Sequence, residues 1–206
     1  MLGDGALTFQ EFVMGEPLPL ATIHQAVLDF LRGRDDVALF GAHAVNAYVG
    51  EPRMTQDVDI LSTRAPELSQ ELRDHLADRF NVAIRLRRLG AERGYRLYQV
   101  RKPRNRHLVD VRPVDALPAT RSFAEVLVVA PAQLLASKVI SFTKRRGSPK
   151  SGTDWRDIAL LLLAFPELKS EEGSVGDQLE AEGVDASILA TWRELVAQEV
   201  TPEEED

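Results

Sequence analysis

Not one of the 206 residues is a cysteine. That absence excludes disulfide scaffolds, thiolate nucleophiles and cysteine zinc sites together, and it suits a reducing compartment. No apolar stretch approaches the ~18 uninterrupted residues that a spanning helix requires, and MLGDGALTFQEFVMGEP lacks a basic start followed by a long apolar run. The expectation is a cytoplasmic protein with no membrane partner. Also missing are a G-x-x-x-x-G-K-[ST] phosphate loop, a dinucleotide fingerprint and a serine in a G-x-S-x-G turn. The four histidines (24, 43, 75 and 107) show no metal-ligand spacing, and only His43, beside a glycine turn, stands near a candidate site.

What remains is the composition of a globular domain. Hydrophobic residues at 44% and charged residues at 28% give no sign of a fibre or a disordered chain. The length allows one core, or one core with a helical appendage. A formal net charge of −7 argues against a partner in duplex DNA, but the charge is uneven. From Arg79 to Arg112 there are eleven Arg or Lys against Glu92 and Asp110, whereas the chain ends in the acidic TPEEED.

Periodicity divides the chain into an α/β part and a helical part. Residues 1–18 read as an irregular arm. Ile23, Val27, Phe30 and Leu31 recur at helical spacing up to Gly33, VALFG (37–41) reads as a buried strand, and AHAVNAYVG as a helix closed by Gly50. DVDILS (57–62) is a second strand, followed by an amphipathic helix from Pro66 to Phe80. NVAIRLRRL, GYRLYQVRK and HLVDVRP read as a three-stranded meander, and AEVLVVA as a further strand. Pro131 opens a helix to Lys144, and further helices lie around 154–164 and 185–198. The domain organisation expected is an arm (1–18), an α/β core (19–130), a helical region (131–200) and an acidic tail (201–206).

Chemistry is concentrated in three aspartates. Side chains two apart on a strand share a face, so Asp57 and Asp59 stand side by side. Two such charges ~5 Å apart repel by about 3 kcal/mol at an effective dielectric near 20. They need open water, a shared proton or a cation. Asp110 lies among Leu108, Val109 and Val111, where an aspartate is either a hydrogen-bonded structural group or a metal ligand. Hard oxygen donors of this kind suit magnesium, which takes substrate phosphates as further ligands. Upstream, FGAH joins a strand to a helix N-terminus, where free N–H groups and a close backbone approach favour phosphate.

The run FGAHAVNAYVGEPRMTQDVDILS resembles the nucleotidyltransferase superfamily with the DNA polymerase beta-like fold, in its abortive-infection AbiEii-like branch. That pattern is a strand, a Gly-Gly or Gly-Ser pair, a helix, then an Arg and a Thr or Ser before D-x-D. Gly41, Ala42, Arg53, Thr55, Asp57 and Asp59 match it in order. VVAPAQLLASKVISFTKRRGSPKSGTDWRDIALLL resembles the branch's second signature, with Lys138, Arg145 or Arg146, Lys150, Asp154 and Asp157 at the matching positions. The resemblance spans about Val37 to Leu163.

It implies a mixed β-sheet core flanked by helices and followed by a helical region. Asp57, Asp59 and Asp110 would be catalytic ligands of Mg2+ (or Mn2+), with Asp110 also able to deprotonate the acceptor hydroxyl. Lys138 would neutralise triphosphate charge, and Gly41, Ala42, Arg53, Thr55, Lys150 and Asp154 would contact the nucleotide. The activity implied is transfer of a nucleoside monophosphate from an NTP to a hydroxyl on an RNA end, a protein or a small molecule. Relatives include toxins that extend transfer RNA, which implies RNA (tRNA) or a cognate antitoxin as partner. Ala42 departs from the pattern, replacing a glycine or hydroxyl beside the phosphates, so the alternative is a catalytically silent binding or regulatory protein of the same fold. The basic stretch, with Tyr95 and Tyr98 in it, reads as solvated edge-strand charge or as a surface for single-stranded RNA.

Overall fold

The computed structural model describes residues 18–90 and 94–201. The expected arm except Leu18, the acidic tail except Thr201, and Glu92 and Arg93 of the basic stretch lie outside the described residues. The described chain holds seven α-helices and one seven-stranded mixed sheet. No described helix is long and apolar enough to cross a membrane. The chain divides into two compact units: one runs to His43 and resumes over Met54–Val128, and the other takes Ala44–Arg53 and everything from Val129. The chain passes from one unit to the other at 43/44, 53/54 and 128/129, so the ten residues 44–53 go with the helical unit.

In the first unit α1 (Leu20–Leu31) ends before Gly33, which adopts a left-handed φ of +70°. β1 (Val37–Phe40) leads into α2 (Gly41–Asn46), then β2 (Val58–Ser62) and α3 (Ala65–Phe80). The meander follows as β3 (Ile84–Arg88), β4 (Tyr95–Gln99) and β5 (Arg106–Pro113), and β6 (Thr120–Phe123) and β7 (Val126–Val129) close the sheet. The strand order is β3-β4-β5-β2-β1-β7-β6. β2 is parallel to β5 and antiparallel to β1, while β3, β4 and β5 pair antiparallel. Leu68, Leu72 and Leu76 of α3 pack on the face carrying Val58, Ile60, Leu97 and Val109, all fully buried. The opposite face of those strands is left for polar side chains.

β6 carries no apolar alternation, and its residues are half-buried or exposed. It joins β7 through Ala124 and Glu125, both at positive φ (47° and 65°), the two-residue pattern of a primed hairpin turn. Asn-Gly would have announced that turn, and Ala-Glu does not. α2 is also shorter than the run to Gly50 implies. Asn46 ends it by bonding both backbone groups of Arg53, donating from Nδ2 to the carbonyl (2.8 Å) and accepting the N–H at Oδ1 (3.1 Å).

The second unit packs α4 (Pro131–Lys144) against α5 (Pro149–Ala164), α6 (Ser174–Ala181) and α7 (Ala186–Ala197). Leu134, Leu135, Val139, Ile158, Leu161, Leu179 and Trp192 form its core. α5 begins five residues before the expected Asp154, because Pro149 suits a first helical position and Gly152 is tolerated within the first turn.

Gly94 opens β4 at a φ of +85°, and a Cβ there would overlap the Val111 carbonyl oxygen of β5. Gly94→Ala combines backbone strain with that overlap, and a loss of at least about 1–3 kcal/mol is expected. Urea unfolding reads it as a lower midpoint at unchanged slope.

Candidate active site

Sheet register assembles the site. Asp59 of β2 is the Cα partner of Asp110 of β5, Asp110 of Arg96 on β4, and Arg96 of Arg87 on the edge strand β3. Register partners share a face, so Arg87, Arg96, Asp110 and Asp59 form one row across four strands, continued by Phe40 of β1. This is the face opposite α3. The two strands therefore do bring Asp59 and Asp110 to the same side.

Asp57 stands just before β2, and Thr55 donates its hydroxyl to the Asp57 carbonyl (3.2 Å), bracing the approach to the strand. Between Asp57 and Asp110 lies His107. Its Nδ1 is 3.1 Å from Asp57 Oδ2 and its Nε2 is 3.0 Å from Asp110 Oδ1. Sequence reasoning passed over this histidine for a physical reason. Positions 107 and 110 are three apart and would face opposite ways on a regular strand. The β4–β5 register slips between Leu97, which pairs with Val109, and Tyr98, which pairs with His107. The extra residue, Leu108, is a β-bulge that restores His107 to the carboxylate face.

The acid cluster is compensated by cations of the same face. Arg96 donates in a bidentate manner to Asp110, Nε to Oδ1 at 2.6 Å and Nη2 to Oδ2 at 2.7 Å. Arg112 lies over the Phe40 ring, 5.4 Å from its centroid, and reaches Asp59 Oδ1 at 3.2 Å. Burial pushes the Asp110 carboxyl up, but the bonds from His107 and Arg96 outweigh it and hold the group at about 2. The same bond from Asp110 raises Arg96 above its ordinary value. Arg96 and Arg112 belong to the basic stretch but carried no individual signal in the sequence.

Gly41 has a left-handed φ of +65°, and a Cβ there would collide with Asp59 Oδ2. Any other residue would be strained and would strike the carboxylate. Ala42, next in the chain, is buried. The donor set Asp57, His107 and Asp110 suits a divalent cation, each offering a ligand atom, all within 4.8 Å of one another; Asp59, the other predicted ligand, is not in that group and stands in register beside Asp110, bonded by Arg112 under the glycine cradle.

A family model for the nucleotidyl transferase AbiEii toxin of type IV toxin–antitoxin systems matches residues 25–174. The chain belongs to that family. As an AbiEii-family protein it carries a nucleotidyltransferase domain, and its mixed sheet is shared with solved structures. It is similar to the Megavirus polyadenylate synthase (TM-score 0.58, 13% identity) over 71% of this chain and 32% of that one. The AbiEii-family chain thus spans about a third of the viral enzyme's length. It is similar to JHP933 from Helicobacter pylori (TM-score 0.58, 15% identity) over 93% of this chain and 90% of that one. At such identities the likeness is one of fold. No curated protein matches the chain.

The second signature of the AbiEii-like pattern falls in the helical unit, where it forms a separate charge network. Arg53 donates to both oxygens of Asp157, Nε to Oδ1 at 2.8 Å and Nη2 to Oδ2 at 2.9 Å. Lys138 Nζ lies 2.7 Å from Asp157 and 3.8 Å from Asp154, which also accepts from Arg145 at 2.9 Å. Lys138, Asp154 and Asp157 are all buried, whereas Lys150 is exposed on the first turn of α5. Burial pushes the Asp157 carboxyl up, and the Arg53 bond together with the Lys138 charge reverses this, leaving it below the usual range.

Two outcomes follow. Because the Asp110 carboxyl lies below its ordinary value of 3.8, its stabilising share is complete above about pH 4 and is lost as the pH falls towards 2. In urea unfolding, Asp110→Asn should be about 2 kcal/mol less stable than the parent at neutral pH, with the gap closing between pH 4 and 2. In the helical unit, Asp157→Asn leaves Arg53 and Lys138 without their shared carboxylate and should cost about 3 kcal/mol or more. A loss under about 1 kcal/mol in the same assay would mean that the two cations find other partners.

Proposed function

We propose that the protein is a metal-dependent enzyme that moves a nucleoside monophosphate from an NTP to a hydroxyl at an RNA end, acting as the toxin of a toxin–antitoxin pair. The observation that supports this reading is that Asp57 and Asp110 offer ligand atoms within reach of one another, with Asp59 in register beside Asp110 and against Gly41. Asp57, Asp59 and Asp110 would hold Mg2+ or Mn2+. When bound, such an ion supplies charge stabilisation at the phosphoryl oxygens. In the reaction the acceptor oxygen forms a bond to the α-phosphorus, the bond from that phosphorus to the bridging oxygen breaks, pyrophosphate leaves and the hydroxyl proton passes to water.

Individual roles follow from surroundings. Gly41 keeps the Asp59 carboxylate approachable, and Thr55 braces Asp57. Asp110 is assigned to positioning and metal binding, because a carboxyl held at about 2 is a weak proton acceptor at neutral pH. In the helical unit the cluster of Arg53, Lys138, Arg145, Asp154 and Asp157 carries one more positive than negative side chain, which supports Lys138 as the cation for triphosphate charge, with Lys150 exposed nearby in sequence.

An RNA acceptor is supported by the row of register. Arg85 and Arg87 on β3 are exposed, and they pair with Tyr98 and Arg96 on the same face as the carboxylates. A basic edge with an aromatic beside it can neutralise a phosphate backbone and stack a base. Tyr95, three residues from Tyr98, pairs with Arg88 and Val111 and faces the other way.

With purified protein, an α-labelled NTP, Mg2+ or Mn2+ and total cellular RNA, Asp57→Ala should lower label incorporation by about 10²-fold or more while circular dichroism is unchanged. Equal incorporation by parent and variant would overturn the assignment. No incorporation by the parent with any of the four common NTPs would favour the catalytically silent reading that Ala42 raises.

A further inference from the structure

The register slip at Leu108 costs β5 a ladder position and has one visible consequence, which is to place an imidazole among the carboxylates. We infer that His107 is itself a metal ligand beside Asp57 and Asp110, so that the centre prefers Mn2+ to Mg2+. This deepens the metal-dependent reading given above and rests on it.

Spacing supports the inference. Ligand bonds of about 2.1 Å meeting at right angles put neighbouring donors about 3 Å apart. Each His107 nitrogen stands at that distance from one carboxylate oxygen, Nδ1 3.1 Å from Asp57 Oδ2 and Nε2 3.0 Å from Asp110 Oδ1, so whichever nitrogen ligates has a carboxylate beside it as co-ligand. An imidazole has two nitrogens, so one can ligate while the other N–H stays on the remaining carboxylate. Metal-bound histidines are commonly held in that way. Asp110 is already held through both oxygens by Arg96, which sets the orientation of its carboxylate. Asp57 and His107 are partly open to solvent, their side chains 30% and 23% exposed, so an ion can reach them.

Ligand chemistry then decides the metal. Mg2+ is hard, small and reluctant to leave water for nitrogen, whereas imidazole binds first-row transition metals readily. A purely carboxylate centre would discriminate little between Mg2+ and Mn2+. Adding one imidazole favours Mn2+, and the preference should disappear with the ring.

The test uses the full chain, Mn2+ alone and Mn2+ with an NTP. Pulsed electron paramagnetic resonance should show 14N coupling from a directly bound imidazole in the parent. In His107→Gln and His107→Ala that coupling should vanish and Mn2+ affinity should fall at least ~10-fold, while Mg2+ affinity changes by less than about 3-fold. Two variants guard against one that misfolds, and thermal unfolding checks both. The inference is overturned if Mn2+ binds without 14N coupling, if the coupling survives in both variants, or if both metals weaken equally, since His107 would then only position the carboxylates. Transfer that persists with either metal but without 14N coupling sinks this inference alone. Absence of both metal binding and transfer in the parent sinks the enzymatic reading with it.

Discussion

The bidentate bond between Arg96 and Asp110 is the constraint on which the site depends. A carboxylate on a sheet strand, buried and next to Asp59 in register, could not remain ionised without a counter-charge at contact distance. Arg96 provides it from the adjoining strand, in the one register that sets the two residues opposite each other. Strand pairing and charge pairing therefore reinforce each other. A slip of one residue between β4 and β5 would send Arg96 to the α3 side and leave Asp110 without its guanidinium partner.

The same logic recurs in the helical unit with different partners. Asp157 is almost fully buried and is held by Arg53 and Lys138, which come from the 44–53 segment and from α4. This explains why a short stretch interrupting the α/β unit belongs with the helices. Asn46 clasps the Arg53 backbone while the Arg53 side chain reaches α5. Buried ion pairs of this kind add little net stability over apolar packing, but they penalise any arrangement that separates them.

Much of the fold was legible because hydrophobic period and turn residues agreed along the chain. Helices α1, α3, α4 and α7 and the β3–β5 meander lie within a few residues of where periodicity puts them. The parts that were not legible have specific causes. β6 is an exposed edge without alternation, its hairpin turn uses Ala-Glu, and α2 is cut short by a side-chain clasp that is not local in sequence. At the site, the aspartates and Gly41 were visible as residue types in a spacing. His107, Arg96 and Arg112 were not, because their roles arise from strand pairing.

The sequence by itself determined the class of fold and which acids could gather, since a D-x-D pair at a strand and a lone aspartate in an apolar run have few physically acceptable settings. It also determined the family, through an ordered set of motif positions. Only the tertiary structure decided which cations meet those acids and that a histidine joins them. Side-chain direction along a strand alternates reliably until a bulge resets it, and a bulge is a property of two paired strands that neither one shows alone.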